Sequence, residues 1–209
     1  MKSKQTQEQI IVFSRYPVPG TTKTRLARAL GDQGAAEMQK KLTEHTISQV
    51  RKFLQLDPIA VLVSYDGGSL EQIQEWLGPD FTYRDQGSGD LGQRMEKAFR
   101  TAFKQKYKRI VIIGTDCPGL QARHMTQAFE SLRHNDLVLG PATDGGYYLI
   151  GLSRCETSLF KEVPWGTDTV LTKTLNLAKQ NGLSIDLLEI LSDVDRPEDL
   201  KHFNHHTST

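Results

Sequence analysis

Apolar runs and apolar stripes alternate along the chain. Continuous apolar or β-branched stretches at Ile10–Phe13, Ile59–Tyr65, Phe81–Arg84, Arg109–Ile113, Leu137–Leu139, Tyr147–Leu152 and Ser184–Leu188 predict seven strands. Between most of them the spacing changes to three and four. From Asp32 to Leu56, the residues Ala35, Met38, Leu42, Thr46, Val50 and Phe53 form one stripe on an otherwise polar helix. Asp90–Tyr107 and Gln121–Arg133 repeat the pattern, and Thr167–Gln180 reads as a helix capped by Thr167 or Asp168 and stopped near Gly182. Early strands that are apolar throughout and alternate with helices predict a mostly parallel sheet covered on both faces. The short link around Asp144-Gly145-Gly146 predicts an antiparallel addition to it.

Composition narrows the class. The 209 residues are expected to form one α/β domain, with residues 1–8 and 204–209 fraying. A net charge of +1 gives no overall attraction to nucleic acid or membrane, so any anion site must be a local cluster. No apolar run approaches the roughly 20 residues that span a bilayer. With only Cys117 and Cys155 and no apolar leader, a cytoplasmic location is expected. The histidines of the tail KHFNHHTST are not expected to form a biological metal site.

Four loops fall at expected carboxyl ends of strands, where open α/β sheets bind ligands. In PVPGTTKTRLA, Gly20 allows close backbone approach, and Lys23 and Arg25 precede a helix. The spacing is not that of a Walker A loop, and a proline-stiffened turn with solvated cations is the alternative. RDQGSGDLGQRM offers Gln86, able to pair with donor and acceptor on a base edge, and several glycines. Ser88 or Asp90 could equally serve there as a helix cap. GTDCPGL places Asp116 just beyond a buried strand, where a carboxylate suits Mg²⁺ or only a loop cap. Cys117 beside it reads as a small buried filler. GPATDGGYYLIG and LSDVDRPEDL supply Asp144 and Asp195; the first is also a good turn, the second also matches a D-x-x-E capping box.

Taken in order with VPWGTDTV, these segments resemble the nucleotide-diphospho-sugar transferase superfamily of GT-A (Rossmann-like) fold. Within it they are similar to the radical-SAM/selenodomain-associated transferase 1 branch, which is related to 2-phospho-lactate guanylyltransferase and more remotely to molybdenum cofactor guanylyltransferase. The resemblance runs from residue 11 to 200. It implies a nucleoside triphosphate or nucleotide-sugar donor, a small-molecule acceptor and Mg²⁺ (or Mn²⁺). By position in the motifs, Gly20, Lys23, Thr24 and Arg25 would meet the phosphates, and Gln86, Gly89 and Asp90 the base. Asp116 and Asp195 would hold the metal, and Asp144, Gly145, Gly146 and Trp165 would line the acceptor side. The lysine precedes the arginine here, whereas the usual nucleotidyltransferase loop has G-x-G-T-R followed by P-x-x-K. Asp116 also stands alone where many glycosyltransferases carry D-x-D. The expected activity is nucleotidyl transfer with pyrophosphate release. Glycosyl transfer with Asp144 as base, or a catalytically silent nucleotide-binding module, are the alternatives. Neither oligomeric state nor base is legible.

Overall fold

The computed structural model describes residues 7–200. Its centre is one seven-stranded sheet in the order β3-β2-β1-β4-β6-β5-β7. The strands are β1 (Glu8–Arg15), β2 (Ala60–Asp66), β3 (Thr82–Asp85), β4 (Arg109–Ile113), β5 (Leu137–Pro141), β6 (Tyr147–Leu152) and β7 (Ile185–Leu187). β1 pairs in parallel with β2 and β4, β2 with β3, and β5 with β7. β6 runs antiparallel between β4 and β5. It is the expected antiparallel addition, made possible by the short turn through Asp144, where Ala142 N donates to Gly146 O at 3.0 Å.

Side-chain alternation along β1 divides the core. Ile10 and Val12 face a cluster with Ile47, Val50 and Phe53 from α1 (Thr24–Leu56), Ile73 from α2 (Leu70–Leu77), and Met125 and Phe129 from α4 (Ala122–Ser131). Ile11 faces the other side, with Met95 and Phe99 from α3 (Leu91–Lys104) and Ala178 from α5 (Val170–Gln180). The stacked rings of Phe53 and Phe129, 5.9 Å apart, fasten α1 to α4. Burying one such ring contributes about 1.5–3 kcal/mol.

Several boundaries differ from the sequence expectation, each for a local reason. Helix α1 begins at Thr24 and breaks at Gly31 (φ 69°, ψ 167°), so the stripe from Asp32 is only its second limb. Thr167 and Asp168 lie in turns before α5, whose N-cap is Thr169. The D-x-x-E box does not form. Instead the Asp199 carboxylate accepts from the amides of Asp195 and Arg196 at 3.1 and 2.8 Å, around a 3₁₀ turn at Pro197–Asp199. The Asp195 side chain is thereby left for other partners. Glu8, expected to fray, is buried in β1 and ion-paired with Arg109 at 2.6 Å. The histidines His202, His205 and His206 and the rest of the tail lie outside the described residues.

Candidate active site

The carboxyl ends of β1, β2 and β4 open into a cavity of about 660 Å³. Its centre is a buried lysine. After β1 the chain turns through Pro17–Thr22, where Thr21 N and Thr22 N both donate to Val18 O and Thr22 Oγ1 donates to Tyr16 O. That turn delivers Lys23 in the left-handed region (φ 51°, ψ 44°). Such backbone in a residue other than glycine costs about 1–3 kcal/mol and gathers at functional sites. Lys23 Nζ donates to Val194 O at 2.7 Å, and lies 2.7 Å from Asp116 Oδ1 and 3.9 Å from Asp195 Oδ1. Arg25 reaches Asp195 Oδ2 at 2.7 Å. Val194 N donates to Asp116 O at 2.9 Å, tying the last loop to the one after β4.

Two carboxylates from residues far apart in sequence thus share one ammonium. The same point suits a hard cation, which takes one or two carboxylates and completes its shell with phosphate and water oxygens. Among the described residues, no three His, Cys, Asp or Glu side chains converge to hold a metal alone. Ligands beyond Asp116 and Asp195 would come from substrate and solvent.

Asp193, which sequence reasoning passed over, lies on the same wall, with Thr143 Oγ1 3.4 Å from its carboxylate. Burial, and then the charge of Asp144, push its pKa up. Its only signal was the first acid in SDVD, two residues before Asp195. Asp144 also lines the cavity, with its Oδ1 accepting from Gly146 N at 2.8 Å. Gly145 (φ 87°) does not reach the cavity; a Cβ there would stand 2.1 Å from Asp168 O, so its role is to seat this turn on the loop before α5. Trp165 from that loop lies against Gly92 of α3, where a Cβ would meet the indole at 2.3 Å, and edge-on to Tyr147 at 6.4 Å. The thiol of Cys117 is buried and its pKa is raised well above normal, mainly by that burial, which leaves it inert.

On the β2 side the polar groups are paired. Asp66, at the end of β2, accepts from Arg15 at 2.9 Å and Arg94 at 3.2 Å. Gln86 gives both amide hydrogens to the carbonyls of Ser14 and Ser64, at 3.2 and 3.0 Å, and accepts from Arg94. Arg94 was within a quoted motif and Asp66 precedes a Gly-Gly turn, but nothing in the pattern joined them to Arg15. Asp90 caps α3, accepting from Gln93 N at 2.8 Å, and Gly89 (φ 110°) shapes the approach to that cap. Gly20 (φ 80°) forms the turn before Lys23, outside the cavity wall. Lys23, Thr24, Arg25, Gln86, Asp116, Asp144, Gly146, Trp165 and Asp195 do converge on the cavity.

Known structures share this frame. A protein from Desulfovibrio desulfuricans G20 assigned to the nucleotide-diphospho-sugar transferases is 31% identical, with a TM-score of 0.85 over 98% of this chain and 90% of that one. A CMP:2-keto-3-deoxy-manno-octonic acid synthetase complexed with CTP shares the fold at 12% identity, with a TM-score of 0.58 over 95% and 97% of the two chains. In sequence, the 2-phospho-L-lactate guanylyltransferase of Methanocaldococcus sp. (strain FS406-22) is 28% identical over 193 residues, 90% of this chain and 78% of that protein. The fold is that of the nucleotide-diphospho-sugar transferases, and the protein is a transferase of that class. Residues 49–167 match the family described as "Uncharacterized protein conserved in bacteria (DUF2064)", to which the chain belongs.

Proposed function

We propose that the protein is a metal-dependent nucleotidyltransferase, moving a nucleoside monophosphate from a triphosphate to a small phosphorylated acceptor with release of pyrophosphate. One observation carries the reading: Lys23 Nζ is held between Asp116 and Asp195, with Arg25 on the far side of Asp195, at the mouth of β1 and β4. Cations and carboxylates gathered at one point suit the charge of phosphoryl chemistry. The 28% identity to a guanylyltransferase over most of the chain supports a nucleotide donor and favours GTP. A distant neighbour of the same fold is known as a manganese complex, in keeping with divalent-metal use. The free thiols Cys117 and Cys155 are consistent with a reducing, cytoplasmic setting.

An acceptor phosphate oxygen attacks the α-phosphorus, and the bond from that phosphorus to the β-phosphate oxygen breaks as pyrophosphate leaves. A phosphate acceptor is already ionised, so no side chain need remove a proton; the described residues put no histidine in the cavity wall. Lys23 and Arg25 neutralise the charge that builds on the leaving group. Held by Asp116 and Asp195, Mg²⁺ (or Mn²⁺) would supply Lewis-acid polarisation of the phosphate oxygens. Asp144, Gly146 and Trp165 would form the acceptor wall, whose shape rests on Gly145 and the turn beneath it.

The test is a panel of nucleoside triphosphates and nucleotide-sugars, each with Mg²⁺ and phosphorylated acceptors, read for pyrophosphate and for free sugar. Pyrophosphate release from a triphosphate, dependent on metal and acceptor, is expected. Sugar release from a nucleotide-sugar without pyrophosphate would assign glycosyl transfer instead, with Asp144 as the base for an acceptor hydroxyl. Metal-independent nucleotide binding without turnover would make the protein a silent binding module.

A further inference from the structure

The β2 end of the cavity contains an arginine whose hydrogen bonds can be counted. Arg94, on the first turn of α3, has five N–H donors. Nε donates to Gly89 O at 2.8 Å, and Nη1 to Asp66 Oδ2 and Gln86 Oε1, both at 3.2 Å. Those three bonds fix the plane of the guanidinium. Nη2, with two donors, has no partner among the described residues, and the side chain lines the cavity. Gln86, by contrast, has spent both amide hydrogens on backbone carbonyls of β1 and β2 and is buried. It has no donor left for a base. Leu91, large, apolar and exposed, lines the same part of the cavity and offers a surface for a flat ring.

Position agrees with chemistry. Asp66 ends β2 and Asp116 follows β4, with β1 between them, so the two ends of the cavity stand two strand spacings apart, roughly 10 Å. If phosphates lie at Lys23, the base lies at Arg94. The Asp66 carboxylate on the same guanidinium disfavours a phosphate there, whereas a base edge tolerates it. Arginine donors match the O6 and N7 acceptors that guanine presents side by side; adenine has an amino donor in place of O6 and would oppose donor to donor.

Resting on the nucleotidyl-transfer reading, we propose that Arg94 reads the donor's base through Nη2, selecting guanine by its O6/N7 edge, and that Gln86 and Asp66 are positioning residues that aim it. The role expected of Gln86 from sequence thereby passes to its neighbour.

Calorimetric titration of the whole protein with GTP, 7-deaza-GTP and ATP, in the presence of Mg²⁺ and without acceptor, tests this. The unaltered protein should prefer GTP to ATP by about tenfold or more, and GTP to 7-deaza-GTP, which lacks the N7 acceptor. Arg94→Met keeps the packed stem; it should bring GTP down to ATP, leave ATP within about twofold, and erase the 7-deaza difference. Should that variant fold poorly, Arg94→Gln, whose amide suits the adenine N6/N7 edge, must still lose the preference for GTP. Asp66→Asn should narrow the GTP-to-ATP ratio part of the way, a change that mere destabilisation would not produce. Equal weakening of GTP and ATP by Arg94→Met would make Arg94 a phosphate contact and overturn the proposal, as would an unchanged ratio. Triphosphate binding without guanine preference in the unaltered protein defeats this inference alone; absence of any triphosphate binding defeats the functional reading beneath it.

Discussion

The two halves of the cavity are built on opposite electrostatic terms. Over β2 and β3, the charges in the cavity wall are paired: Asp66 holds both Arg15 and Arg94, and Gln86 closes the network onto β1 and β2. Over β4 and β6, carboxylates crowd together. Asp116 and Asp195 pair with the two cations Lys23 and Arg25, Asp144 and Asp193 line the same wall, and burial first, then the charge of Asp144, raises the pKa of Asp193. Apart from the two Nη2 donors of Arg94, the first half is paired and held without a ligand, so it serves to recognise a fixed shape. The second half is short of positive charge, so a cation improves it, and that is where phosphoryl chemistry would use one.

The sharpest way to break this contrast is to remove its pivot. Asp116→Ala and Lys23→Ala should each lower kcat/KM about 100-fold or more in the pyrophosphate assay, the cost of one charged group that stabilises the transferring phosphate. They should differ in metal response: high Mg²⁺ should rescue neither fully, but Asp116→Ala should also weaken Mn²⁺ binding measured by electron paramagnetic resonance. A loss below about fivefold for either would remove the site from the chemistry.

The contrast also explains what could be read from sequence. Strand existence was legible because strands covered on both faces are continuous apolar runs: Arg109–Ile113 and Tyr147–Leu152 match β4 and β6 residue for residue. Loop residues with a signature, such as Lys23, Asp116 and Asp195, stood out for the same reason that they converge, since each lies in a segment that follows a strand. The paired half was much less visible. Arg15, Asp66 and Arg94 come from three elements, and no spacing in the chain reports that a strand order of β3-β2-β1 brings them together. Nor could sequence tell that Gln86 spends its donors on the sheet, or that Asp199 takes over the capping expected within Asp195–Glu198.

A smaller effect is expected where the acidic half is anchored to the fold. Gly145 has φ 87° and would place a Cβ 2.1 Å from the backbone oxygen of Asp168; Leu171 N also donates to its carbonyl at 2.9 Å. Backbone atoms on both sides cannot give way cheaply, so Gly145→Ala should cost about 2 kcal/mol of stability, read from the denaturant midpoint. Gly182 (φ 64°) has nothing within 4 Å of its would-be Cβ and makes a control for the backbone strain alone, with a smaller loss.

The smallest effect has the opposite sign. Asp193 is a carboxylate whose folded pKa is raised, first by burial and then by Asp144. Its ionisation therefore costs stability in the folded state: the cost is absent below the unfolded value of 3.8, grows as pH rises through the folded value, and is full above it. Asp193→Asn removes that cost, and should raise the melting temperature of the metal-free protein at neutral pH by the equivalent of less than about 1 kcal/mol. The gain should vanish as pH falls below 3.8, where both side chains are neutral. Added Mg²⁺ should narrow the difference from the other direction, because a bound cation offsets the same repulsion in the unaltered protein. If Asp193→Asn were destabilising at neutral pH, the acidic half would be balanced as it stands, and the contrast between the two halves would fail at its weaker side.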